Sequence, residues 1–103
     1  MTNKPNFSIS LISITSGKFR IDEATSSKKT AKGAAKSVLK SIGVFAWKTV
    51  LEAPDISDIK VIIRPIEEMG DSNYMFGYVR YAKGYIAREV RHGASVFNLE
   101  DIS

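Results

Sequence analysis

The chain contains no cysteine and a single histidine, His92. The first absence excludes a disulfide scaffold, a thiolate zinc site and a cysteine nucleophile. The second excludes a multi-histidine metal centre, so neither a metal nor another cofactor is expected. No apolar run approaches the roughly 20 residues that a membrane-spanning helix requires. The opening residues, Met-Thr-Asn-Lys-Pro-Asn, lack the basic segment and long apolar core of a secretory signal. The expectation is therefore an intracellular or virion-borne protein, neither secreted nor membrane-spanning.

Catalytic patterns are missing too. There is no Gly-rich phosphate loop, zincin motif or nucleophile elbow. General acid–base chemistry needs titratable groups gathered in a cleft. The carboxylates Asp55, Asp58, Glu67, Glu68, Glu100 and Asp101 are instead scattered near turns, and His92 has no Ser or Asp partner at a motif spacing. A non-enzymatic protein without a small-molecule substrate is expected.

What is present fits one small domain. At 103 residues, 44% hydrophobic and 25% charged, the chain can bury a modest core. Fifteen Lys and Arg against eleven Asp and Glu give a formal charge of +4, which favours anionic partners.

The clearest helical pattern covers residues 26–43. Ala31, Ala34, Ala35, Val38, Leu39 and Ile42 recur at steps of three and four, while Lys29, Lys32, Lys36 and Lys40 line the other side. Ser26, Ser27 or Thr30 can cap its start, and Gly43 suits its end.

The remaining segments read as strands and turns. Residues 1–6 form a flexible arm. Phe7, Ile9 and Leu11 alternate with serines, and the phase then shifts to Ile12 and Ile14, as in a bulged strand or one buried on both faces. Ser16-Gly17 is a turn signal, and residues 18–22 return as a second strand. Residues 44–51 suit a short strand or a further helical turn, with Trp47 filling core space. Residues 59–67 are strongly β-prone, with Pro65 marking an edge or bulge. A turn at residues 70–73 then leads into an aromatic strand over 74–82, so that 59–82 forms a hairpin. Lys83-Gly84 turns the chain into a further strand over 85–92, and residues 94–103 form a tail or a last short strand. The predicted fold is α+β: one helix on a curved antiparallel sheet, in the order ββαβββ.

Three basic groups stand out. They are the helix lysines, including Lys36 and Lys40; Arg64 with Arg80 on the hairpin; and Lys83, Arg88 and Arg91 beyond it. Lys and Arg neutralise phosphates, and aromatic side chains stack on bases. The run Phe76-Gly77-Tyr78-Val79-Arg80-Tyr81 has that aromatic alternation and resembles the core of the RNA-recognition ribonucleoprotein motif, whose element order this chain lacks. Among these features the lysine row of the helix reads best as a solvated or supporting face.

A second resemblance covers roughly residues 7–85. Its elements are Ser16-Gly17-Lys18-Phe19, the segment from Lys29 to Lys36, Asp58-Ile59-Lys60-Val61-Ile62-Ile63-Arg64, the turn Gly70-Asp71-Ser72-Asn73, and the strand from Tyr74 to Arg80. In these the chain resembles the small chromosomal protein family of methanogenic archaea, and more so its relatives encoded by large nucleocytoplasmic DNA viruses. The resemblance implies a pseudo-barrel of ββαβββ order and architectural, weakly sequence-specific binding and bending of double-stranded DNA, with a hairpin arm on the duplex. Carried onto this chain, the arm holds Arg64, Arg80, Tyr81 and Lys83, with Arg88 beyond it and Lys36 and Lys40 supporting. The chain departs from the family in its lower charge, in Lys32-Gly33 where the family has Pro before Ala-Ala, in an apolar insertion over 44–55, and in Tyr where the arm carries Trp. These departures fit an alternative: a minor capsid or other virion structural protein that uses the fold to contact neighbouring virion proteins.

Overall fold

A computed structural model describes residues 6–25, 33, 36, 44–66 and 73–102. Five strands, β1 (Asn6–Ser13), β2 (Lys18–Thr25), β3 (Ile59–Ile66), β4 (Asn73–Tyr78) and β5 (Ser95–Asn98), form one sheet in the order β4-β2-β1-β3-β5. Every neighbouring pair is antiparallel. Among the described residues three helices accompany it, α1 (Val44–Val50), α2 (Ala82–Arg91) and α3 (Leu99–Ile102), with a 3-10 turn at Ile56–Asp58 before β3.

The alternation of side chains along β1 and β3 explains why both strands are central. Phe7, Ile9, Leu11, Val61 and Ile63 point to one face, where Trp47, Leu51, Leu99 and Ile102 cover them. Ile12 and Ile62 point to the other, where α2 places Ala82, Tyr85 and Ile86 on them. The shift of apolar phase in β1 is thus a strand buried on both faces, and its alternating Ser8 and Ser10 are buried as well.

Helix α1 resolves the ambiguous stretch after residue 43 in favour of helix. Trp47 is fully buried, as its sequence context indicated. The helix ends in a 6→1 and 5→2 bond pair, Ala53 N to Lys48 O at 2.9 Å and Glu52 N to Thr49 O at 3.2 Å, with Glu52 at φ 50. Pro65 pairs with Phe7 on β1, whereas β5 reaches only from Lys60 to Ile63. Pro65 thus lies beyond the stretch of β3 that β5 covers.

Several expectations are corrected. The α+β class stands, but among the described residues the sheet is open, with β4 and β5 at its edges, and three helices lie outside the span where the one helix was expected. The hairpin over 59–82 does not form: β3 pairs with β1 and β5, while β4 pairs with β2. A strand buried on both faces, as β3 is at Val61, Ile62 and Ile63, gains most from a partner on each side, so it takes the sheet interior. The strand expected over 85–92 is helix α2, because Ala82, Tyr85, Ile86 and Glu89 turn inward at helical spacing. The tail is β5 followed by α3. Of the helix expected over 26–43, Gly33 and Lys36 have helical backbone; the rest of it, residues 1–5 of the arm expected over 1–6 and residues 70–72 of the turn expected over 70–73 lie outside the described residues, while Asn6 opens β1 and Asn73 opens β4.

Candidate functional site

The site begins where β4 leaves the sheet. Gly17, in the β1–β2 turn, has φ +76 and sits so close to the departing chain that a Cβ on it would lie 2.2 Å from the Val79 carbonyl oxygen. The Val79 N–H donates to the Gly17 carbonyl at 2.9 Å. This clamp fixes the exit of β4 and presents Arg80 and Tyr81, both exposed. Tyr81 is the N-cap of α2, with extended backbone and no side-chain capping bond, and its carbonyl accepts from Tyr85 N at 3.1 Å.

Helix α2 is held down by its apolar side. Tyr85 stacks on Phe19 of β2 with ring centroids 5.5 Å apart and planes 12° from parallel. Its hydroxyl points at Ser10 Oγ, a long 3.4 Å contact. Burial pushes the Tyr85 hydroxyl pKa above the ordinary tyrosine value and Glu89 adds to this, while the Ser10 bond, Arg88 and Arg64 pull the other way. The Arg88 guanidinium lies over the Tyr85 ring, 5.9 Å from its centroid. His92 closes the helix by donating from Nδ1 to the Arg88 carbonyl at 2.8 Å.

The outer side of this segment is basic. Arg80, Lys83, Arg88 and Arg91 are all exposed, and none forms an ion pair among the described residues. Val79, Arg80, Tyr81, Gly84, Tyr85 and Arg88 line an open cleft of about 300 Å³. Arg88 and Arg91 occupy the last helical turn, where positive charge is favoured by the backbone dipoles.

Four of the residues expected to bind, Arg80, Tyr81, Lys83 and Arg88, are thus brought together, on one helix and its lead-in. Arg64 is not among them. It stands on β3 opposite Ser8, whereas the end of β4, Tyr78, stands opposite Lys18 at the far end of β2. The hairpin arm uniting Arg64 with Arg80 is therefore replaced by a surface on α2. Arg64 is half-buried, and its Nε is buried without a hydrogen-bond partner. Lys36 is exposed, and Lys40 lies outside the described residues. Arg20 packs on the opposite face of the sheet from α2, over Trp47 at 5.2 Å and Phe76 at 5.5 Å from the ring centroids.

Sequence reasoning missed Gly84 and Tyr85 as members of the site. The signal for Tyr85 was its spacing of three from Ala82, which together with Ile86 makes one inward helix face. Among the described residues no group of three or more His, Cys, Asp and Glu is placed to hold a metal ion, and no helix is long and apolar enough to cross a membrane.

Fold and surface together define a small α+β protein with a basic, aromatic-lined cleft beside its one long described helix. No family model, curated protein or solved structure matches the chain.

Proposed function

We propose that this is a non-enzymatic, architectural nucleic-acid-binding protein that holds double-stranded DNA mainly by its phosphates, through Arg80, Lys83, Arg88 and Arg91. One observation carries the reading: Arg80 and Arg88 line an open cleft with an exposed tyrosine in its wall, exposed Lys83 and Arg91 stand on the same helix, and none of the four forms an ion pair among the described residues. Unpaired surface cations that share one face gain from releasing the counterions of a polyanion. The reading does not require Arg64, and it gives the helix lysines a supporting role.

The test is a duplex titration at several salt concentrations. A protein making three or four phosphate contacts should show log K falling with log salt at a slope of about −3. Changing Arg80, Lys83 and Arg88 to Gln should abolish measurable binding, whereas Lys36→Gln should leave it nearly intact. Absence of any affinity at ~50 mM salt, where phosphate contacts are strong, would sink the proposal.

A specific feature favours the second reading, a virion structural protein. Strand β4 lies at a sheet edge and exposes Phe76 by 51% and Tyr78 by 66%. Exposed aromatics on a strand edge suit burial against a neighbouring protein. Recovery of the protein in capsid shells emptied of genome, together with no duplex affinity, would select this reading over the first.

A further inference from the structure

Two residues of the cleft work against the helix they belong to. Gly84 is the third residue of α2, a place where glycine weakens a helix relative to alanine. Among the described residues nothing demands it. A Cβ at Gly84 would meet only Tyr81 Cβ, at an ordinary 3.7 Å, and its backbone is not in the left-handed region. Tyr81 occupies the N-cap, where Ser, Thr, Asp or Asn would satisfy a free amide, and it makes no side-chain capping bond. Its ring is 74% exposed.

The two choices share one product. With no side chain at Gly84, the floor of the cleft between Tyr81 and Arg88 stays open, and a broad aromatic side chain stands beside it with Arg80 close by. A cleft lined by an exposed tyrosine and two arginines is matched by a nucleotide: a flat base with a phosphate on either side. In a duplex the base faces are hidden by their neighbours, so only an unpaired base can use such a ring.

We propose that the cleft takes one unpaired nucleobase, stacked on Tyr81 above Gly84, with the flanking phosphates on Arg80 and Arg88. The inference rests on the nucleic-acid reading and deepens it: single strands, frayed ends and mismatched bases bind more tightly than intact duplex. Every base has a π-face, so little sequence preference accompanies the stack.

The experiment measures the affinity of the full chain, by fluorescence anisotropy at one low salt concentration, for three probes of equal length: oligothymidylate, an abasic deoxyribose-phosphate strand, and a duplex. Oligothymidylate should bind about tenfold or more tighter than the abasic strand, the size of one base–aromatic stack. Tyr81→Ala should erase that difference and Tyr81→Phe should keep it. Gly84→Ala should raise the unfolding temperature by roughly 3–6 °C and yet reduce the preference for the base-bearing strand. A residue kept for folding would show the opposite sign in stability. Equal, salt-sensitive binding of all three probes overturns the stacked base and leaves the phosphate reading standing. A Gly84→Ala variant with its preference unchanged also overturns it, and failure to bind any of the three overturns both readings.

Discussion

Phe19 and Tyr85 stack with ring centroids 5.5 Å apart, and this contact joins β2 of the sheet to the helix that carries the basic cleft. Tyr85 has Phe19 against its ring, Ser10 at its hydroxyl and Arg88 over its ring, so its loss removes much of what seats α2. Tyr85→Ala should cost about 2–4 kcal/mol, below the full value for a large buried aromatic because the residue is only half-buried. Tyr85→Phe keeps the ring and loses only a long hydrogen bond, so it should cost less than about 1 kcal/mol. Urea denaturation of both variants checks the pair; equal losses would mean that the hydroxyl, not the ring, seats the helix.

Gly77 makes the same contact vulnerable from below. It pairs with Phe19 across β4 and β2, and a Cβ at 77 would lie 2.2 Å from Phe19 Cζ and 2.6 Å from Cε2. The ring would have to leave its place on Tyr85. Gly77→Ala should therefore destabilise by about 1–3 kcal/mol as an overpacking change, although alanine alone is harmless to strand backbone. The double change Gly77→Ala with Phe19→Leu, which removes part of the clash, should cost less than the two single changes added together. Simple additivity in a double-mutant cycle would refute the clash.

These contacts show where the sequence was readable. The alternation of Phe7, Ile9 and Leu11, and the run Val61-Ile62-Ile63, announced two strands and most of the core, because period and burial agreed there. Trp47 was readable by its size, not its period: few surfaces accommodate so large an apolar ring outside a core. Helix α2 was not. Gly84 reads as a turn, and Tyr85, Ala87, Glu89 and Arg91 alternate as a strand would. The competing helical spacing of Ala82, Tyr85 and Ile86 became decisive only because Ile12, Ile62 and Phe19 offer that face an apolar bed. Strand order was hidden for a different reason. That the chain leaves β3 and passes β1 and β2 to place β4 on the outer side of β2 depends on which strands are covered on both faces, a property of the whole sheet. Arg80, Tyr81 and Arg88 meet at one cleft because they are close in sequence on one helix and its lead-in. Arg64 was grouped with them through a hairpin that does not exist.

Alkaline pH gives a separate handle on Tyr85. Burial raises its pKa above the ordinary value of about 10. The unfolded chain therefore releases this proton first, and between the two values it binds fewer protons than the folded chain. Stability must then fall as pH rises. The contribution is whole below pH ~10 and is lost as pH climbs toward the folded-state pKa. Urea midpoints of the parent protein and Tyr85→Phe should run parallel from about pH 7 to 9 and converge or cross above about pH 10 as the parent loses stability faster. Parallel behaviour through pH ~11 would show that Tyr85 ionises as freely in the folded protein as in the unfolded chain.

The β1–β2 turn governs the cleft from the other side, through Asp58. Its carboxylate accepts from Thr15 N at 3.1 and 3.2 Å, from Thr15 Oγ1 at 2.8 Å and from Ser13 Oγ. Ser13 Oγ in turn accepts from Ser16 N at 3.1 Å. This relay shapes the turn that delivers Gly17 to Val79. Asp58→Ala leaves the buried Ser13 hydroxyl and the Thr15 amide without their acceptor and should cost about 2–3 kcal/mol, the range for hydrogen bonds to a charged group. Gly17→Ala strikes the clamp itself: it forces alanine into φ +76 and sets a Cβ 2.2 Å from the Val79 carbonyl oxygen. Backbone strain and clash together should cost about 2–4 kcal/mol. The two variants should differ in function. Asp58→Ala, which loosens the turn without placing a Cβ against Val79, should lower nucleic-acid affinity less than Gly17→Ala at temperatures where it remains folded. Gly17→Ala must displace Val79 and with it Arg80 and Tyr81, so its affinity should fall even when fully folded, as judged by circular dichroism alongside the binding titration. Unchanged affinity in folded Gly17→Ala would show that the position of Arg80 and Tyr81 does not depend on this clamp.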